Sequence, residues 1–240
     1  MQVFKPTATY RVQLHKDFNF KALKKIIPYL NSLGIDTIYA SPIFKAISGS
    51  QHGYDGVSPL EINPEIGTEE ELVELSEILK QSDMFWLQDI VPNHMAFSPE
   101  NEWLMDVLEN GKKSEFYHYF DINFPNDIED KRLMVPFLGE CLEDAINERK
   151  ISIVAKEKKL FLAYGDSNWP INEKSYDFIF GQKNGKKYFF DNFNGTKKGN
   201  PVRKKLDSLN QDLQLLNELT GLQFYRLCDC QETTKKLNYR

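Results

Sequence analysis

Six residues in two short stretches carry the groups that could act on a polyhydroxyl ligand. His52-Gly53-Tyr54-Asp55 offers an imidazole, a phenol ring and a carboxylate, and Asp89-Ile90-Val91-Pro92-Asn93-His94 offers a carboxylate, an amide and an imidazole. A site for a sugar needs few parts: an aromatic face for the apolar side of the ring, and carboxylate, amide and imidazole groups for the hydroxyls. Each residue alone has a plain structural alternative. A loop tyrosine packs, a strand-end Asp caps or pairs, and Asn93 after Pro92 serves a turn. The grouping favours a ligand site more than any member does.

The elements that must position these residues follow from periodicity. The apolar run Met84-Phe85-Trp86 leads into Leu87 to His94, a buried strand whose carboxyl end stops in the polar cluster; sheets and barrels of the α/β class place ligand sites at such ends. Upstream, Thr7 to Leu14 mixes β-branched and aromatic residues with alternation and predicts a first strand. Phe20, Leu23, Ile26, Ile27, Leu30 and Leu33 recur at helical spacing before Gly34, and Ile35 to Ala40 predicts a second strand. Ile43 to Gly67 is long for a link, which suits a functional loop, and it holds Tyr54. Thr68-Glu69-Glu70-Glu71 is a capping box, followed by a helix with Leu72, Leu75, Ile78 and Leu79 on one face. The resulting βαβαβ order fits a doubly wound sheet or the first part of a (β/α)8 barrel. No Gly-rich phosphate fingerprint follows the first strand, which weakens the nucleotide-binding sheet.

Beyond His94 the alternation of strand and helix breaks down. Asn101 to Leu108 predicts a helix, Phe116 to Phe124 is an aromatic run, and Ile151 to Ala155 with Leu160 to Tyr164 predicts a hairpin. A second hairpin is expected from Tyr176 to Phe180 against Lys187 to Phe190, turning at Asn184-Gly185. Leu206 to Leu227 predicts a helix with Leu209, Leu213, Leu216 and Leu219 on one face. The expected division is 1–94 as three strand–helix units, 95–226 as an inserted mixed α+β subdomain, and 227–240 as a return toward the barrel.

Composition sets the outer limits. The 240 residues are 41% hydrophobic and 27% charged, enough for a full core, as one large domain or a domain with an insertion. With a net charge of −5 and lysines in scattered pairs, nucleic acid is not an expected partner. No apolar run approaches membrane-spanning length, and the amino terminus lacks a signal-peptide pattern, so a cytoplasmic protein without membrane partners is expected. The three cysteines, Cys141, Cys228 and Cys230, are odd in number and suit a reducing compartment; Cys228-x-Cys230 lacks the companions of a zinc site. Without a secretion signal, Asn194-Gly195-Thr196 is an ordinary turn rather than a glycosylation site.

Asp89-Ile90-Val91-Pro92-Asn93-His94 resembles the first signature of the α-amylase superfamily, glycoside hydrolase family 13, at the end of the third barrel strand. Gly53-Tyr54-Asp55 lies where that superfamily has its stacking tyrosine. Thr9 to Leu14, Tyr39-Ala40-Ser41-Pro42-Ile43, His52 to Asp55, Ile62 to Gly67 and Asp89 to Met95 together look like the malto-oligosyltrehalose synthase branch. Trp103, Asp106 to Gly111, Val135 to Gly139 and the terminal Leu237-Asn238-Tyr239-Arg240 extend the likeness.

The resemblance implies a (β/α)8 barrel, here its first three strands with an insert after the third. It also implies an intramolecular transglucosylase that converts the reducing-end α-1,4 bond of a maltodextrin into an α,α-1,1 bond. By position Tyr54 would stack on the sugar, His94 with Asp89, Asp55 and His52 would bind its hydroxyls, and Asn93 and Arg11 would be structural. In calcium-dependent members the Asn of this motif helps hold the metal; no further ligands can be assigned here, and neither metal nor cofactor is expected. The superfamily's nucleophile follows an Arg by two residues on the fourth strand, and no such Arg-x-Asp occurs here. The expectation is therefore a fragment without catalytic residues or turnover, with self-association through the open barrel edge. An α-amylase-type hydrolase and a non-catalytic glucan-binding remnant are the alternatives. Two departures stand out: Gln81-Ser82-Asp83 where a Gly turn is expected, and Asp229-Cys230 where the family tends to have aromatics.

Overall fold

The computed structural model describes residues 5–124, 130–193 and 200–236, without the side chains of 235 and 236. The glycosylation-like tripeptide at 194–196 and the terminal tetrapeptide at 237–240 lie outside the described residues. The chain divides into two compact units, Met1–Glu102 and Trp103–Arg240.

The first unit contains β1 (Thr9–Val12), α1 (Phe20–Ser32), β2 (Thr37–Ala40), β3 (Phe44–Ala46), β4 (Gly56–Ile62), α2 (Glu69–Gln81) and β5 (Phe85–Gln88). β1, β2 and β5 form a parallel sheet in the order β1-β2-β5. Register rows run Thr9–Thr37–Phe85 and Arg11–Tyr39–Leu87. The intervening positions Val12, Ile38 and Ala40 are buried against Leu23, Ile27, Leu30, Leu75 and Leu79 of the two helices. Such an arrangement of parallel strands with helices on one face is the opening of a (β/α)8 barrel.

Each helix has a local start and stop. The Asn19 side chain accepts from Ala22 N at 3.1 Å to begin α1, and Gly34, at φ +81, follows its end. The Thr68 hydroxyl accepts from Glu71 N at 3.3 Å while the Glu71 carboxylate accepts from Thr68 N at 3.3 Å, so the capping box closes both ways. Asp83, standing where a glycine was expected, adopts φ 53 in the left-handed region. The Ile43 to Gly67 segment is not a plain loop: β3 and β4 pair antiparallel within it.

The second unit holds α3 (Glu102–Asn110, from Trp103 on), β6 (Leu133–Leu138), α4 (Leu142–Asn147), β7 (Ile151–Lys156), β8 (Lys159–Tyr164), β9 (Ser167–Pro170), α5 (Glu173–Phe180), α6 (Gly185–Asn192), α7 (Pro201–Leu209), α8 (Leu213–Gly221), β10 (Tyr225–Asp229) and α9 (Cys230–Lys236). β7, β8 and β9 form an antiparallel meander, and β10 pairs parallel with β6. Glu157 and Lys158, both at positive φ, make the two-residue turn between β7 and β8.

Two expectations fail here. The second hairpin is instead the helix pair α5 and α6. Asn172 caps α5 by accepting from Ser175 N at 3.1 Å, and Gly181 at φ +64 ends it. Asn184-Gly185 does turn the chain, but between helices. Gly185 N donates to Asp177 Oδ1 at 2.7 Å, and an added Cβ would lie 2.2 Å from Tyr176 O. The expected single helix from Leu206 to Leu227 is two helices and a strand. Asn210 ends α7, Asp212 starts α8 by accepting from Leu215 N at 3.1 Å, and β10 follows.

Candidate functional site

β1, β2 and the residue after β5 each contribute one polar side chain to a cluster at their carboxyl ends. Alternation turns Arg11 and Tyr39 to the sheet face opposite Val12, Ile38 and Ala40. Asp89 continues the ladder through its N–H, which donates to Ala40 O at 3.0 Å, and comes two positions after Leu87. Tyr54 reaches the same place from the segment between β3 and β4.

Tyr54 stands at the centre. Its hydroxyl donates to Asp89 Oδ2 at 2.5 Å and accepts from the Arg11 guanidinium at 3.2 Å. The Tyr39 hydroxyl donates to the same Asp89 oxygen at 3.2 Å, and Arg11 Cζ lies 5.9 Å from the centre of the Tyr39 ring. Its hydrogen bond to Asp89, reinforced by the carboxylate's charge, pushes the Tyr39 phenol above the usual range. Arg11 is likewise raised, chiefly by its bond to Tyr54. With its hydrogen engaged by Asp89, the Tyr54 phenol presents a ring face rather than a free donor.

The backbone around Tyr54 is held separately. Gly53 adopts φ +75, and a Cβ there would stand 2.8 Å from Pro42 O. Gly53 N donates to Ser50 Oγ at 3.0 Å, and Ser50 Oγ donates to Asp55 Oδ1 at 2.5 Å. Gln13 Nε2 donates to Gln51 O at 2.8 Å, tying the loop to the end of β1.

Both histidines touch this backbone, and their partners fix their tautomers. Tyr54 N donates to His52 Nδ1 at 3.0 Å, so His52, when neutral, carries its proton on Nε2. His94 Nε2 lies 3.0 Å from Tyr54 O, a carbonyl that only accepts, so Nε2 is again the donor and Nδ1 of the neutral ring is an acceptor. His52 also stacks near Tyr54, with ring centres 5.9 Å apart and planes 29° apart, and its Nδ1 is 3.8 Å from Asp55 Oδ1.

The structure therefore brings Arg11, His52, Tyr54, Asp55, Asp89 and His94 together. Asn93 is exposed and joins none of these bonds. Among the described residues, no three His, Cys, Asp or Glu side chains group to hold a metal ion. Tyr39, Gln13 and Ser50 belong to the cluster but are not evident as site residues in the sequence. Alternation could have marked Tyr39, since it shares a face with Arg11 rather than with Ile38.

A family model described as "Alpha amylase, catalytic domain" matches residues 19–193. The chain belongs to the α-amylase family. Its likeness to particular α-amylase-family structures covers both units. The maltooligosyltrehalose synthase of Arthrobacter ramosus superposes with a TM-score of 0.71 at 30% identity, covering 98% of this chain and 25% of that one. A crystal structure of a maltooligosyl trehalose synthase gives 0.69 at 34% identity, covering 94% of this chain and 25% of that one. A relative from Mycobacterium tuberculosis (strain ATCC 25618 / H37Rv) is 37% identical over 143 residues, 57% of this chain and 18% of that protein. This α-amylase-family chain thus spans about a quarter or less of the length of the relatives it matches. Within it, Asp89 directly follows β5 of the parallel sheet, and Tyr54 reaches it from the segment between β3 and β4.

Proposed function

We propose that the chain forms the glucan-gripping wall of a maltooligosyltrehalose synthase-type active site. The observation that carries this reading is the likeness to synthase structures over 92–98% of the chain at 30–34% identity, which includes the unit beyond residue 102. The site geometry supports it. Tyr54, with its hydroxyl bonded on both sides, offers a ring face to a glucose unit; His94 Nδ1 accepts a sugar hydroxyl; and Asp89 Oδ1, His52 and Asp55 lie within the same cluster to meet others. Arg11 is structural, through its bond to Tyr54.

In the reaction of such an enzyme, the reducing-end α-1,4 bond of a maltodextrin is broken with retention. The released glucose, rather than water, then attacks, giving an α,α-1,1 bond. That chemistry needs a nucleophile and an acid/base carboxyl on either side of the bond, about 5 Å apart. With Asp89 already engaged by two phenols, the cluster binds and orients. No Arg-x-Asp motif occurs in the 240 residues to supply the nucleophile.

The test is calorimetric titration of the chain with maltohexaose. Binding is expected, without trehalosyl product, and Tyr54→Ala weakens it by about three- to tenfold, the worth of one aromatic contact. Absence of binding, or an affinity indifferent to Tyr54→Ala, would sink the sugar site; a trehalosyl product would sink the view that turnover needs further residues.

Two further readings complete the proposal. β1 and β5 each leave one side of the parallel sheet without a strand partner among the described residues, and Phe85 and Leu87 are exposed on β5. Self-association through β5 is the expected outcome, and a monomer in size-exclusion chromatography contradicts it. No helix among the described residues is long and apolar enough to cross a membrane. The three thiols are free, which suits a cytoplasmic setting.

A further inference from the structure

Tyr39 touches both opposite charges of the cluster. Its ring lies under the Arg11 guanidinium at 5.9 Å, and its hydroxyl donates to Asp89 Oδ2 at 3.2 Å. Arg11 and Asp89 feel each other's charge, yet no salt bridge joins them. Between them stands the Tyr54 hydroxyl, 3.2 Å from Arg11 and 2.5 Å from Asp89.

That arrangement needs an explanation, because a guanidinium and a carboxylate free to approach would pair directly. Bidentate Arg–carboxylate bonds are among the strongest available to side chains. Such a pair would displace the Tyr54 hydroxyl and release its ring. Tyr54 comes from a loop, and its own bonds to Arg11 and Asp89 cannot keep those two apart when each prefers the other. Tyr39 comes from β2, the central strand, flanked by the strand of Arg11 and the strand that leads into Asp89.

We infer that Tyr39 is a positioning residue for Tyr54: its ring retains the Arg11 guanidinium, its hydroxyl retains the Asp89 carboxylate, and the gap left between them is the width of one phenol oxygen. The inference rests on the proposed sugar site, since Tyr54 is there the platform. Tyr39 itself need not touch the sugar.

The experiment uses the full 240-residue chain, with maltohexaose as the probe and calorimetric affinity as the readout. The variants are Tyr39→Phe, Arg11→Gln and the two together, each with its melting temperature measured. Tyr39→Phe keeps the ring over Arg11 and removes the hydroxyl. The expected result is a three- to tenfold weaker affinity with melting changed by no more than about 2 °C. Arg11→Gln weakens binding in the parent, but in the Tyr39→Phe background it restores part of the loss, because the competing cation is gone.

That reversal of sign separates positioning from packing. Full and additive losses in the double variant overturn the inference, as does a fall in melting that accounts for the Tyr39→Phe loss without rescue. If the parent binds maltohexaose and Tyr39→Phe binds equally well, the inference falls and the sugar site stands. If the parent binds no maltohexaose, both fall.

Discussion

Gly53 supports the platform without a side chain of its own. Its φ of +75 and the 2.8 Å approach of a would-be Cβ to Pro42 O mean that Gly53→Ala strains the backbone next to Tyr54. The expected cost is about 1–3 kcal/mol in chemical denaturation, with a loss of maltohexaose affinity that exceeds any change in the second unit. A second residue contributes to acid behaviour. Asp36 accepts from the Thr7 hydroxyl and N–H, from Thr37 Oγ1 and from Ala8 N, and these bonds lower its carboxyl to about 2. A lowered carboxyl stabilises the fold above its unfolded value, near 4, and that contribution disappears as pH falls toward 2. Asp36→Asn should therefore lower stability at neutral pH and flatten its decline between about pH 4 and 2, as thermal unfolding across that window will register. Of the site residues, the sequence exposes the aromatic, acidic and imidazole members because they crowd into two motifs. Tyr39 is marked only by alternation against Ile38; its place beside Arg11 arises from strand pairing, which residue order does not display.

At the scale of elements, legibility follows the competition between local signals. α1, β2 and α2 emerge at nearly the expected positions because a 3.6-residue or two-residue period runs unbroken between clear stops, whereas the buried strand expected over Leu87 to His94 is instead β5 over Phe85–Gln88, with Leu87 and Ile90 exposed. The capping box is the sharpest of these, and Thr68→Ala should cost about 1 kcal/mol, with amide exchange rising first at Glu70 and Glu71. α5 misleads for a physical reason: Tyr176, Phe178 and Phe180 alternate like a strand and Asn184-Gly185 is a strong hairpin signal. What prevails is burial, since Tyr176 and Ile179, three apart, are both enclosed while Asp177 reaches the turn. β9 escaped notice because Ser167-Asn168-Trp169-Pro170 has neither period nor propensity. It forms because β8 presents an edge and Trp169 fills the core, 2% exposed.

For the molecule as a whole, the parallel sheet and its two helices make a core of its own within the first unit. Ile38, 0% exposed between the outer strands, is a central position there. Ile38→Ala should destabilise by about 2–5 kcal/mol, measured by denaturant unfolding with amide exchange followed in β1, β2 and β5. Sequence reading captured the opening of the barrel and the presence of a mixed unit after it. It did not recover the topology of that unit, because parallel pairing between distant segments leaves no periodic trace.

The β6–β10 pair has a consequence for how the chain is made. Leu133 pairs with Tyr225, about ninety positions later, whereas β1, β2 and β5 all lie between Thr9 and Gln88. During synthesis the three described strands of the first unit's parallel sheet are all present once residue 88 has left the ribosome. β6 meets β10 only after residue 229 emerges, an interval on the order of ten seconds at ordinary elongation rates. The long loop it closes adds entropy cost and slows folding further. Leu133-Met134-Val135, buried in the finished protein, is thus a stretch whose pairing with β10 completes late in synthesis, within reach of chaperones or other nascent chains until then.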